Sequence, residues 1–138
     1  MSASRPPIQS PIWRRILILW FPAIAWMIVL FVLSAQSSLP SVASTVSDKV
    51  EHGGAYAVLG VLMLRALASG TWRGVTLKGV ALAVLLATAY GITDELHQLF
   101  VPDRSFDLLD MAADAAGAAA GAGVVWAWGI IRRRSTLR

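Results

Sequence analysis

The sequence predicts an all-α fold: a polytopic membrane bundle of four transmembrane helices, both termini inside the cell, with a polar site at the outer face. Three observations predict it. Hydrophobic residues make up 57% of the 138-residue chain and charged residues only 14%, against roughly 25% charged in soluble domains. The apolar residues gather into four stretches. The charges at the ends of those stretches separate by sign.

The first stretch runs from about residue 16 to 33 ("ILILWFPAIAWMIVLFVL"), the second from about 53 to 67, the third from about 77 to 92 and the fourth from about 108 to 131. Crossing the hydrocarbon takes about 20 mostly apolar residues, within a range of about 17–25. The second and third stretches are short by that measure. They reach full length only if His52, Asp94 and Glu95 belong to the same helices, which holds polar side chains just inside the membrane boundary. The first stretch sits between "WRR" and "LSAQS", a faintly signal-peptide-like setting, yet its apolar run exceeds the usual core of about 7–15 residues. It reads as a membrane helix, kinked or adjusted near Pro22. The length suits one domain: a tail over residues 1–12, a four-helix membrane unit over 13–134 and a cytoplasmic tail over 135–138. The polar run "SAQSSLPSVASTVSDK" reads as an outer loop able to settle as a partial lid.

Arg5, Arg14 and Arg15 precede the first helix, Arg65, Arg73 and Lys78 flank the second connection, and Arg132, Arg133, Arg134 and Arg138 follow the fourth helix. Loops rich in Lys and Arg stay cytoplasmic, so both termini are expected inside. Trp13, Trp20, Trp72, Trp126 and Trp128 lie near the same ends, where interfacial anchors belong. All the acids (Asp48, Glu51, Asp94, Glu95, Asp103, Asp107, Asp110 and Asp114) fall on the other half, with Lys49 and Arg104 as the only cations there. The net charge of +4 therefore reads as an orientation signal rather than a nucleic-acid patch. With no cysteine, the chain has no disulfide, thiol nucleophile or cysteine metal site.

Positions three and four apart share a helix face. Asp48, His52 and Tyr56 form one stripe, with Glu51 beside it, and Gly91, Glu95 and Gln98 form a second, from which Asp94 is rotated away. Asp107, Asp110, Asp114, Gly117 and Gly121 step by 3, 4, 3 and 4, a seam that faces other helices. The small residues in its lower part let helix backbones approach closely, which is ordinary packing. Asp103 and Asp107 read as a solvated rim or as caps of the fourth helix. Asp110 and Asp114 enter the apolar span, where an acid must face the bundle interior and is a functional candidate by default. His97 reads as interfacial, and His52 as an orienting or proton-shuttling group. Lys49 and Arg104 either neutralise the acids or, for the arginine's planar fork, clamp a carboxylate, phosphate or sugar hydroxyl.

The run "DKVEHGGAYAVLG" resembles the D-K-x-x-H-x-x-x-Y opening motif of the VanZ-like family, named from teicoplanin resistance. "GITDELHQLFVPDRSFDLLDMAADAAGAAAG" is similar to that family's G-x-x-x-E-x-x-Q-x-F-x-P-x-R block and its continuation, D-x-x-x-N-x-x-G-x-x-x-G. One departure stands out: the usual Asn position holds Asp114. The resemblance implies a site made of Asp48, Lys49, His52 and Tyr56, of Glu95 and Gln98, and of Arg104, Asp110 and Asp114. It also points to the cell envelope and glycopeptide resistance, without specifying a reaction.

Three functions remain open. Paired carboxylates from different helices serve as general acid and base or nucleophile, and glycoside cleavage uses such a pair without a metal. That makes a hydrolase of a glycolipid or lipid-linked envelope precursor the first expectation, with Glu95 leading, Asp48 or Asp110 as its partner, His52 assisting, and Lys49, Tyr56, Gln98, Arg104 and Asp114 binding substrate. No cofactor is needed for it. The second expectation is a lipid-phosphate phosphatase in which the acids and His52 hold a divalent metal; it lacks a basic phosphate cradle. The third is a non-enzymatic binder of an envelope precursor or of the antibiotic, or a small proton transporter. The expected surroundings are the bilayer of the cell membrane, with the site on the extracytoplasmic side, and no oligomeric state is legible.

Overall fold

The computed structural model describes the backbone of residues 11–36 and 45–135 and the side chains of 11–36 and 49–132. Most of the expected N-terminal tail, the outer loop over 37–44 and the chain beyond Ser135 lie outside the described residues. Four α-helices follow in order: α1 (Ile12–Ser34), α2 (Thr45–Leu67), α3 (Leu77–Gln98) and α4 (Leu108–Ser135), with a short 3-10 turn at Trp72–Gly74. The polar extensions predicted for the second and third stretches are helical: His52 lies within α2, and Asp94 and Glu95 close α3. The first helix continues without a break across Pro22.

Helix ends have local causes. Thr76, extended in backbone, accepts the Gly79 N–H at 3.0 Å and starts α3, satisfying one of the donors a helix N-terminus leaves open. Asp107 does the same for α4 by accepting the Leu109 N–H at 2.7 Å. After α2 the chain reverses through Ser69 and Gly70, both at positive φ.

Each helix runs opposite to its neighbour in sequence, as paired contacts at both ends require. Ser34 meets Asp94 at one end, and the Arg65 guanidinium donates to the Leu19 carbonyl at the other. Between them, Trp26 Nε1 donates to the Ala55 carbonyl at 2.9 Å, and the Tyr90 hydroxyl to the Met27 carbonyl at 2.6 Å. Helix α2 is central, touching α1, α3 and α4. Its closest partner is α4. A Cβ built on Gly117 would collide with the Gly53 carbonyl, and one on Gly121 with that of Ala57, so these two backbones are in direct contact. Leu59, Met63 and Leu64 of α2, Ala83 and Ala87 of α3 and Ala118 and Ala122 of α4 complete the buried interior.

Helices α1, α3 and α4 are long and apolar enough to cross a membrane, over Ile12–Ser34, Leu77–Gln98 and Leu108–Arg132. Helix α2 is as long as α1 but more polar. Among its described polar side chains, Lys49 and His52 are half-buried against neighbouring helices and Tyr56 is buried. The outer faces carry exposed Ile16, Phe21, Ile28, Leu82, Leu85, Val124 and Ile131, an apolar exterior suited to lipid rather than water. The protein is an all-helical, multi-pass membrane protein.

Candidate functional site

All the described acids sit at the end of the bundle where α1 and α3 finish and α2 and α4 begin. Four of them are buried: Asp94 at 5% exposure, Glu95 at 0%, Asp110 at 7% and Asp114 at 1%. Buried charge must find a partner or be neutralised, and each of these carboxylates solves the problem differently.

Asp110 is held by Lys49, whose ammonium bridges it to Asp107, the latter at 2.6 Å. Its hydrogen bond to Lys49 holds the Asp107 carboxyl below the ordinary aspartate range. Asp114 accepts from or donates to His52: its Oδ1 lies 3.0 Å from Nδ1 of the ring. The other ring nitrogen, Nε2, is 4.0 Å from Asp110 Oδ2. Glu95 Oε2 accepts the backbone N–H of Asp107 at 2.9 Å, which ties the loop before α4 to the end of α3. Asp94 Oδ1 accepts the Ser34 hydroxyl at 2.6 Å, joining α3 to α1.

Three buried polar atoms here have no hydrogen-bond partner among the described residues: Glu95 Oε1, Asp114 Oδ2 and the Tyr56 hydroxyl. A Cβ on Gly91 would lie 2.9 Å from Asp114 Oδ2 and 3.2 Å from the Tyr56 ring. Glycine at this position therefore makes the room in which Asp114 and Tyr56 sit. A ring nitrogen of His52, one oxygen of Glu95 and one of Asp110 lie within 4.8 Å of one another.

Beside this cluster a cavity of about 130 Å³ opens between α1, α2 and α3. Leu30, Leu33 and Ala55 form its apolar wall; Ser34, Glu51, His52, Tyr56, Asp94, Gln98 and Arg104 line the rest. Arg104, which makes no ion pair or hydrogen bond through its guanidinium among the described residues, lines the cavity.

Of the residues expected in the site, Lys49, His52, Tyr56, Glu95, Gln98, Arg104, Asp110 and Asp114 come together at this one end. The side chain of Asp48 lies outside the described residues. His52, Tyr56, Gln98 and Arg104 reach the cavity, whereas Glu95, Asp110 and Asp114 stand behind His52. Two residues join the site unannounced. Asp94, read as rotated off the Glu95 stripe, is indeed on a neighbouring face, but α1 covers that face, so the carboxylate is buried and lines the cavity. Ser34, its partner, ends an apolar run and carries no sequence signal of its own. Asp107 is the cap of α4 that the sequence offered as one alternative, and it also binds Lys49 and donates its N–H to Glu95. His97 is half-buried and stacks on Phe31 with ring centroids 4.4 Å apart.

The sequence model of the VanZ/LLP1 family matches residues 19–131. The chain belongs to the VanZ/LLP1 family. The matched span takes in every site residue just described, from Ser34 to Asp114. Comparisons with curated proteins and with solved structures give no match. For this VanZ/LLP1 member the chemistry must therefore be argued from the geometry of its own site.

Proposed function

We propose that this VanZ/LLP1 protein is a membrane-embedded hydrolase acting on the polar headgroup of a glycolipid or lipid-linked sugar at the extracytoplasmic face. The observation that carries the reading is the convergence of Glu95 and Asp110, carboxylates from α3 and α4, with oxygens no more than 4.8 Å apart, behind a cavity of mixed character. Its Leu30 and Leu33 wall suits an acyl or isoprenoid chain, and its Arg104, Gln98, Tyr56 and Asp94 suit hydroxyls or an anionic group.

The two carboxylates have unequal surroundings. Asp110 is paired with the Lys49 ammonium, while among the described residues Glu95 accepts a hydrogen bond from the backbone N–H of Asp107 alone. Unequal surroundings give two carboxyl groups different roles: Asp110 the base or nucleophile, Glu95 the acid. Their close approach suits the retaining arrangement, where carboxyl groups stand about 5–5.5 Å apart, better than the wider inverting one at about 6.5–9.5 Å. His52, backed by Asp114, stands between the pair and the cavity and relays protons. The extracytoplasmic orientation, on a fourth membrane-crossing helix formed by α2, is supported by the charge asymmetry: Arg14, Arg15, Arg65, Arg73, Lys78 and Arg132 gather at the end opposite the acids, as positive-inside orientation requires.

One observation favours a second reading. Glu95 and Asp110 do not themselves line the cavity, so the headgroup can be held by Arg104, Gln98 and Asp94 without being cleaved, and the protein would then be a binder of an envelope precursor or glycopeptide. Mass spectrometry of lipids and lipid-linked glycans separates the two. Membranes carrying wild-type protein are compared with membranes carrying equal amounts of Glu95→Gln. A species trimmed only by wild type is expected; identical profiles would leave the binder.

A further inference from the structure

We propose that His52, Glu95 and Asp110 hold a divalent cation of the zinc or manganese class. The three residues come one each from α2, α3 and α4, and each offers a ligand atom within 4.8 Å of the others. Ligands sharing one ion at bond lengths of about 2.0–2.2 Å stand roughly 3–4.4 Å apart. A small inward movement of side chains completes the set, with no change in the helices.

A grouping of acids with one histidine is common at membrane surfaces, so the case rests on how these three are held. Each is oriented through its second polar atom. His52 Nδ1 meets Asp114 Oδ1 at 3.0 Å; Glu95 Oε2 accepts the Asp107 N–H at 2.9 Å; Asp110 Oδ1 is fixed by Lys49. A carboxylate on the far nitrogen of an imidazole is the usual outer partner of a metal-bound histidine, because it fixes the tautomer and the ring plane. The ring's Nε2 faces Asp110 Oδ2 at 4.0 Å, too long for a hydrogen bond and the right span for two ligands of one ion.

The independent observation is Glu95 Oε1. Glu95 is fully buried, and this oxygen has no hydrogen-bond partner among the described residues. An acceptor left so in the interior is costly, and a cation at the cluster supplies what it lacks. Of the four buried carboxylates, the Lys49 ammonium contacts only Asp110, so it does not serve Glu95. The donor set chooses the metal: an imidazole nitrogen with two carboxylates suits zinc, manganese or iron better than magnesium or calcium, which favour oxygen alone. Three protein ligands leave a position open for water, whose pKa a bound cation lowers toward neutrality.

This inference does not rest on the carboxylate-pair hydrolase reading: with a cation bound, Glu95, Asp110 and His52 would be its ligands and a bound water would take the place of that pair. Its test uses no substrate. The full chain in detergent micelles is stripped with chelator. Zn²⁺ and Mn²⁺ are then titrated by calorimetry, with metal content after dialysis read by elemental mass spectrometry. One ion per chain is expected, together with a rise in melting temperature on loading. Glu95→Gln and Asp110→Asn should each weaken binding by at least about tenfold, since even outer-shell losses cost about 10–100-fold. Asp103→Asn, an exposed loop acid outside the cluster, should bind as wild type does. Wild-type protein that binds neither metal saturably overturns the proposal without any variant. So does unchanged affinity in both Glu95→Gln and Asp110→Asn, and either of them, if folded, suffices for that comparison. Cation binding with unchanged lipid profiles would instead remove the hydrolase and leave the metal site standing.

Discussion

His52 Nδ1 and Asp114 Oδ1 lie 3.0 Å apart across the seam between α2 and α4, and Asp114 occupies the position where the VanZ-like pattern carries Asn. An amide places an acceptor oxygen where this carboxyl has one, so the contact to the ring survives Asp114→Asn while a buried ionisable group is removed. We expect Asp114→Asn to fold and to melt at or above the wild-type temperature. Asp114→Ala removes the acceptor and leaves the ring nitrogen without it, at a cost of about 1–3 kcal/mol. Thermal unfolding of the three proteins in one detergent checks the order; an Asn variant as unstable as the Ala variant would show that the carboxyl itself is needed.

The α2–α4 contact on which that pair depends is set by glycine. Gly117 and Gly121 face the Gly53 and Ala57 carbonyls with no room for a Cβ, whereas a Cβ on Gly54 or Gly123 meets nothing within 4 Å. Gly117→Ala and Gly121→Ala should therefore lose about 1–3 kcal/mol through overpacking. Gly54→Ala and Gly123→Ala should be neutral or mildly stabilising, since alanine favours the helix. Denaturant titration of the four variants in mixed micelles measures the contrast. Equal effects at all four positions would refute the backbone contact.

The parts of the site legible in the sequence were those written in helical periodicity. The Asp110–Asp114–Gly117–Gly121 seam is one face of one helix, and a face that mixes acids with glycines in an apolar span can only point inward. The extension of α2 and α3 through His52, Asp94 and Glu95 followed from membrane thickness alone. What stayed hidden depends on a second neighbour. The third helix end is faced by α2 and α4 on one side and by α1 on another, so a single stripe through Glu95 accounts for only part of what is buried. The Ser34–Asp94 contact joins residues 60 positions apart, and nothing at Ser34 distinguishes it from a loop serine. Depth was equally unreadable: the charge asymmetry and the family resemblance put Glu95, Asp110 and His52 at one end, but only the packing sets His52 at the cavity and the two carboxylates behind it. Helix α2 shows the same limit, since hydropathy measures composition and not the shelter of three neighbours.

Ser34→Ala tests the hidden half. The hydroxyl donates to Asp94 at 2.6 Å in a buried setting, and its removal leaves a carboxylate oxygen short of a donor. We expect a loss of about 1–3 kcal/mol, a charged acceptor lying toward the upper end. Ser34→Ala combined with Asp94→Leu should recover much of that loss, because removing both partners of a buried pair is close to neutral. A double-mutant cycle by thermal unfolding gives the coupling; additive effects would mean the two residues do not interact.

Lys49 is the remaining hinge of the site, because its one ammonium serves two carboxylates. It contacts Asp107, whose backbone N–H orients Glu95, and Asp110, which approaches His52. The side chain is 27% exposed and that of Asp107 39%, so solvent screens the pair and the ammonium contributes less than a buried partner would. Lys49→Met should lower the melting temperature modestly, mostly through repulsion between the two acids it separates. Lys49→Met with Asp110→Asn relieves the repulsion and should regain most of the stability. It should not regain lipid processing, which on our reading needs the Asp110 carboxylate. Melting temperature and lipid profile measured on the same preparations separate these effects. A double variant that stays as unstable as Lys49→Met alone would mean that the lysine acts through packing of its aliphatic stem, and not through its charge.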